Sequence, residues 1–144
     1  MICELFCGSG TLTLPLLKKH YQVDAFELDN ESLKAVDIAS RKEGLGNRVK
    51  VKARDLKDYP LTSDELSIYS AIIVDPPRSG AYLQFSQIAK SKVPVIISIS
   101  CNVNTFIRDS KVLIGSNYEL KWVQPIDQFL FSAHVELVAL FQLK

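Results

Sequence analysis

A mostly parallel β-sheet with helices on both faces, closed by an antiparallel C-terminal strand, is the α/β fold this sequence predicts. Three observations predict it. Short apolar runs rich in Val, Ile and Phe recur at residues 2–6, 23–28, 49–53, 71–74 and 93–99, with helix-like stretches between them, which is the alternation of a parallel sheet covered by helices. Two further runs, 118–123 and 135–143, are joined by about a dozen residues with no helical pattern, as suits an antiparallel neighbour. Acidic residues and a glycine loop fall at the ends of successive runs, where ligands of such sheets bind.

Residues 12–20 have helical spacing, with Pro15 in the opening turn where its missing N–H costs nothing. Residues 31–42 form a second amphipathic helix, with Asn30 as its expected cap and Gly44 and Gly46 as its stop. Residues 104–113, following Cys101, read as another. There is no repeat, low-complexity tract or interdomain linker, and 144 residues that are 47% hydrophobic suffice for the core of one domain spanning 1–144. No apolar run approaches the ~20 residues that span a bilayer, and the first residues lack a signal-peptide layout, so a cytoplasmic location is expected.

Cysteines at positions 3, 7 and 101 have no paired CxxC spacing, so free thiols are expected, with no disulfide framework or zinc site. A formal net charge of +1 is too small to declare a nucleic-acid binder by itself. Cations are locally dense only at Arg48, Lys50, Lys52 and Arg54, which alternate with small apolar residues and so share one face of a strand. Such a stripe either protects a sheet edge from aberrant pairing or touches RNA.

The segment Glu4-Leu5-Phe6-Cys7-Gly8-Ser9-Gly10 joins the first strand to the first helix, so Gly8 and Gly10 sit where backbone must approach a ligand. It lacks both the full G-x-G-x-x-G spacing and a P-loop lysine, which makes a dinucleotide or ATP phosphate a poor fit. Glu27, ending the second strand, can accept from both hydroxyls of a ribose, and Asp55, after the third, can take the amino group of an adenine. The plain alternative for Glu27 and Asp29 is helix N-terminal charge.

Asp75 ends a buried strand and is followed by Pro76 and Pro77, which stiffen a loop expected to line the crevice; a turn-forming Asp is the alternative. One strand later Cys101 brings a thiol to the same crevice, unless it is a small buried hydrophobe. Glu136 stands in an otherwise apolar strand, where burial would cost several kcal/mol or raise its pKa, suiting a general base. His134 is read equally as a turn residue or as a direct participant.

The motifs DPPRSG, ISCNVNTFIRD and DQFLFSAHVELV, in that order after ELFCGSGTLTLPL, resemble the bacterial RNA uridine-5-methyltransferases that act on tRNA and 23S rRNA. The resemblance covers nearly the whole chain. It implies a seven-stranded, Rossmann-like class I methyltransferase fold and S-adenosylmethionine as cofactor. By motif, Cys101 matches the nucleophile, Glu136 the base, Asp75 the residue that holds the uracil, and Glu4, Phe6, Gly8, Gly10, Glu27 and Asp55, with Asp75 beside them, the cofactor contacts. No role is carried over for Arg78 or Asn102. Family members place an RNA-binding domain and a central region ahead of the glycine loop, so the resemblance implies tRNA or rRNA as partner, with a further segment or partner chain to supply RNA binding. The sequence also departs from the family's Asp-Met-Phe-Pro, reading Asp127-Gln128-Phe129-Leu130. Competing expectations are a non-catalytic domain that binds cofactor or RNA, and a cytosine-5-methyltransferase; the pairing of Cys101 with Glu136 argues against small-molecule methylation.

Overall fold

The computed structural model describes residues 1–127 and 135–144. Among these, seven strands form one sheet: β1 (Ile2–Leu5), β2 (Val23–Glu27), β3 (Val49–Ala53), β4 (Ala71–Val74), β5 (Val95–Ser100), β6 (Tyr118–Ile126) and β7 (Glu136–Leu143). Their order is β3-β2-β1-β4-β5-β7-β6. Pairing from β3 through β5 is parallel, and β7 is antiparallel to both β5 and β6. The expected antiparallel closure is present. Its form is an insertion, because the last strand enters between β5 and β6.

Chain direction reverses its march across the sheet between β1 and β4. From β1 the chain steps outward through β2 to β3, then returns to β4 on the other side of β1. That switch point opens a crevice at the carboxyl ends of the strands.

Two apolar layers bury the sheet. Leu66, Phe85, Ile88 and Leu113 pack on one face with Leu5, Ile72 and Ile96, from α3 (Ser63–Leu66), α4 (Tyr82–Ser91) and α5 (Val103–Ile114). Leu17 and Leu33 pack on the other with Val23, Ala25 and Ile73, from α1 (Thr13–Lys18) and α2 (Asn30–Lys42). No described helix is long and apolar enough to cross a membrane.

Local chemistry corrects the predicted boundaries by one to three residues, the largest shift being β6, which runs on from 123 to Ile126. The cap of α2 is Asp29 and not Asn30: its carboxylate accepts from Ser32 N at 2.9 Å, and Asn30 is already helical. Gly44 ends that helix with φ +71°, a conformation glycine adopts without strain. β5 begins after Pro94, which has no N–H for the ladder. Helices α3 and α4 were not individually placed from sequence. A reciprocal capping box, Thr62 with Glu65, starts α3, and that spacing was readable as a helix start.

Of the basic stripe, Lys50 and Lys52 lie on β3, which is a sheet edge, and Arg48 and Arg54 flank it. Lys52 pairs with the buried Asp24 at 2.7 Å, Arg48 donates to the His20 carbonyl, and Arg54 donates to the carbonyls of Tyr59 and Pro60. Three of the four cations thus tie the edge to its surroundings, and Lys50 remains exposed.

Candidate active site

Because β7 runs antiparallel, its first residue stands at the edge of the sheet where the parallel strands end. One row therefore carries, in spatial order, Asp55 beyond β3, Glu27 of β2, Phe6 after β1, Asp75 after β4, Cys101 after β5 and Glu136 of β7. The β5–β7 ladder ends at Ser100 with Leu137, so Cys101 follows the last paired residue of β5 and Glu136 precedes its partner on β7, where Glu136 pairs with Ile126 of β6.

A cleft of about 530 Å³ opens over the first four members of this row, lined by Phe6, Glu27, Leu28, Asp55, Leu56 and Asp75 among others. That is the size of a small-molecule site, with apolar walls and a few convergent acids. Phe6 has φ 62°, strained for a residue with a Cβ and a common mark of a ligand-binding backbone. Gly8 has φ +52°, and a Cβ built there would meet nothing within 4 Å, so the backbone conformation and not crowding favours glycine at this position.

Glu27 organises this end. One carboxylate oxygen accepts from Gly8 N at 3.1 Å, and the other from Leu28 N at 2.7 Å and Asp29 N at 3.2 Å. Three of about four acceptor positions are thus engaged, so a ribose diol would share or displace one of these contacts. Asp55 accepts from Lys57 N and Asp58 N, which shapes the opposite wall.

Glu4, Gly8 and Gly10 do not line this cleft. Gly10 packs toward α2, where an added Cβ would come within 3.0 Å of Val36. Glu4 is 2% exposed and accepts from the Thr13 hydroxyl at 2.7 Å, which ties the start of the glycine loop to α1. Burial raises its pKa from 4.5 to about 7 against the opposing Thr13 hydrogen bond, and the Asp75 charge adds to the rise. A raised carboxyl pKa favours the folded state below the ordinary value, and that contribution is lost as pH climbs through about 7. Glu4→Gln keeps an acceptor for Thr13, so it should match the parent near pH 4.5 and exceed its stability by on the order of 3 kcal/mol at pH 8. Denaturant unfolding at both pH values checks this.

At the other end of the row Asp75 keeps an exposed face, but its partial desolvation in the crevice raises its carboxyl from 3.8 to about 6, with Glu136 contributing repulsion. Glu136 is half-exposed at the mouth of β7, which corrects the expectation that it lies buried inside an apolar strand. Cys101 is half-exposed, whereas Cys3 and Cys7 are buried, and all three are free thiols. Burial pushes Cys7 up to about 12 and Cys3 higher still, so both stay protonated. His134 and the segment 128–134 lie outside the described residues.

Two residues left unassigned by sequence now have partners. The Asn102 side chain caps α5 by accepting from Asn104 N, and its amide donates to the Arg78 carbonyl at 3.1 Å. Gly80, in the same loop as Arg78, has φ +72°, and a Cβ there would run into the Arg108 guanidinium and the Asp109 carboxylate. Gly80→Ala should therefore cost about 2–4 kcal/mol in denaturant unfolding, strain and overpacking acting together.

Comparison with known proteins bears on the row. A family model described as tRNA (uracil-5-)-methyltransferase matches residues 1–144. An RNA methyltransferase of Agrobacterium fabrum is 43% identical over 141 residues, covering 98% of this chain and 34% of the relative. The 23S rRNA (uracil(1939)-C(5))-methyltransferase RlmD of Pseudomonas putida is 33% identical over 141 residues, covering 98% and 31%. The crystal structure of Pyrococcus abyssi tRNA (uracil-54, C5)-methyltransferase in complex with S-adenosyl-L-homocysteine superposes with a TM-score of 0.79 and 27% identity, covering 97% of this chain and 33% of that one. The chain spans about a third of the length of these relatives.

Proposed function

The chain belongs to the tRNA (uracil-5-)-methyltransferase family, and from that premise we propose that residues 1–144 form a catalytic domain that methylates carbon 5 of a uridine in tRNA or rRNA. The observation that supports this reading is the strand order β4-β5-β7, in which Asp75, the half-exposed Cys101 and Glu136 each stand at the same end of neighbouring strands.

The cleft fits S-adenosylmethionine: Glu27 suits the ribose, Asp55 the adenine amino group, Leu28 and Leu56 its apolar faces. When bound, this cofactor supplies an electrophilic methyl group on a positively charged sulfur. Glu4 acts at one remove, by holding the glycine loop through Thr13.

Carbon 5 of uracil is a poor nucleophile until a neighbour donates electrons to it. As thiolate, Cys101 adds to carbon 6, breaking the 5,6 double bond and moving its electron pair into an enolate over carbon 5 and oxygen 4. Once carbon 5 carries the methyl, Glu136 takes the remaining carbon-5 proton. The released pair restores the double bond and expels the Cys101 thiolate. Asp75, ionised above about pH 6, accepts the hydrogen on ring nitrogen 3, a donor that uridine has and cytidine lacks. The base must leave any helical stack to reach this edge.

The test uses RNA carrying 5-fluorouridine, incubated with the protein and S-adenosylmethionine. Fluorine cannot leave as a proton, so a protein–RNA adduct should survive a denaturing gel, and its peptide should map to Cys101. Measurable cofactor binding with no adduct on either tRNA or rRNA would sink the catalytic reading.

A further inference from the structure

The Asp75 loop and α5 are joined by a set of contacts outside the reacting groups. Pro76 and Pro77 have no N–H, so these two residues donate no hydrogen bond that could anchor the middle of the loop. Its start is held where Asp75 N donates to the Leu5 carbonyl at 3.2 Å. Its far end is held by an internal turn, Gly80 N donating to the Pro77 carbonyl at 2.8 Å, and by contacts from Asn102 and α5. The Arg78 carbonyl accepts from Asn102 Nδ2 at 3.1 Å and from Thr105 Oγ1 at 3.2 Å, the Thr105 hydroxyl sharing its one proton with the Asn102 carbonyl, also at 3.2 Å. Next along, the Ser79 carbonyl accepts from Arg108 Nη2 at 3.0 Å, and Ala81 N donates to the buried Asp109 carboxylate at 2.8 Å. Asp109 in turn accepts from Arg108 Nε at 2.8 Å. Since α5 begins two residues after Cys101, the helix that carries these donors is continuous with the thiol.

We propose that Asn102 and Thr105 are positioning residues that, through the Arg78 carbonyl, fix Asp75 relative to the Cys101 sulfur. The inference rests on the methyltransferase reading for its consequence and on the hydrogen bonds alone for its geometry. A base held by Asp75 must present carbon 6 to the thiol, and a displacement of about 1 Å in such an arrangement costs roughly 100-fold in rate.

Asn102 has two separable duties, and that makes the inference testable. Asn102→Asp retains an oxygen to cap Asn104 N–H, so α5 keeps its start, but its carboxylate has no donor for Arg78. A merely structural Asn102 would tolerate this change. We expect thermal stability and cofactor affinity close to the parent, and capture of 5-fluorouridine RNA slower by about 10- to 100-fold. Thr105→Val, which adds no charge near the thiol, should slow capture by about tenfold, and Thr105→Ser should restore it. Hydrogen exchange at the amides of residues 79–81 should quicken in Asn102→Asp and in Thr105→Val, whatever the RNA does.

Unchanged exchange at those amides overturns the clamp itself. If the parent captures RNA and Asn102→Asp captures it equally fast, the positioning role falls and the methyltransferase reading stands. No capture by the parent removes that reading and the positioning role with it.

Discussion

Cys101→Ala is expected to abolish capture of 5-fluorouridine RNA and to slow methyl transfer by at least about 10⁴-fold, while cofactor affinity and thermal stability stay near those of the parent. Without the thiol, carbon 5 never acquires the electron density it needs. The structural cost should be small, because Cys101 is half-exposed at a strand end, outside both apolar layers. Cys3→Ala is the matched control: Cys3 is buried in the core and its thiol stays protonated, so capture should persist. Capture that survives Cys101→Ala would assign the nucleophile to another group.

Glu136→Gln should divide the reaction instead of preventing it. Addition of the thiol and arrival of the methyl do not require Glu136, whereas removal of the carbon-5 proton does. Turnover should fall by about 10²- to 10⁴-fold, and a methylated protein–RNA adduct should accumulate on ordinary uridine RNA, where the parent accumulates none. Liquid chromatography of the digested adduct would read out the trapped methylated base. The substitution also removes the charge that repels Asp75, whose pKa then falls from about 6, though burial still holds it above the ordinary range. The acidic limb of RNA binding should shift to lower pH accordingly. An inactive Glu136→Gln with no trapped base would mean that Glu136 acts before the methyl arrives.

Runs of β-branched residues separated by helical spacing determine an α/β sheet with ligand residues at its strand ends, and both signals are local. Glu27 and Asp55 are legible as cleft acids because each closes or follows a strand, and the strand end itself places them on the crevice side. The motifs around Asp75, Cys101 and Glu136 are legible only as a resemblance, since nothing local tells the last strand which neighbour it will take. The tertiary structure alone decides that β7 enters between β5 and β6, which puts residues 101 and 136 at the same end of neighbouring strands. It also decides that Glu4 turns inward to Thr13, that Glu136 sits at a strand mouth and not in its interior, and that Asn102 reaches back to Arg78. Backbone propensity and hydrophobic period act over a few residues, whereas strand order is set by which arrangement buries both faces of the whole sheet at once.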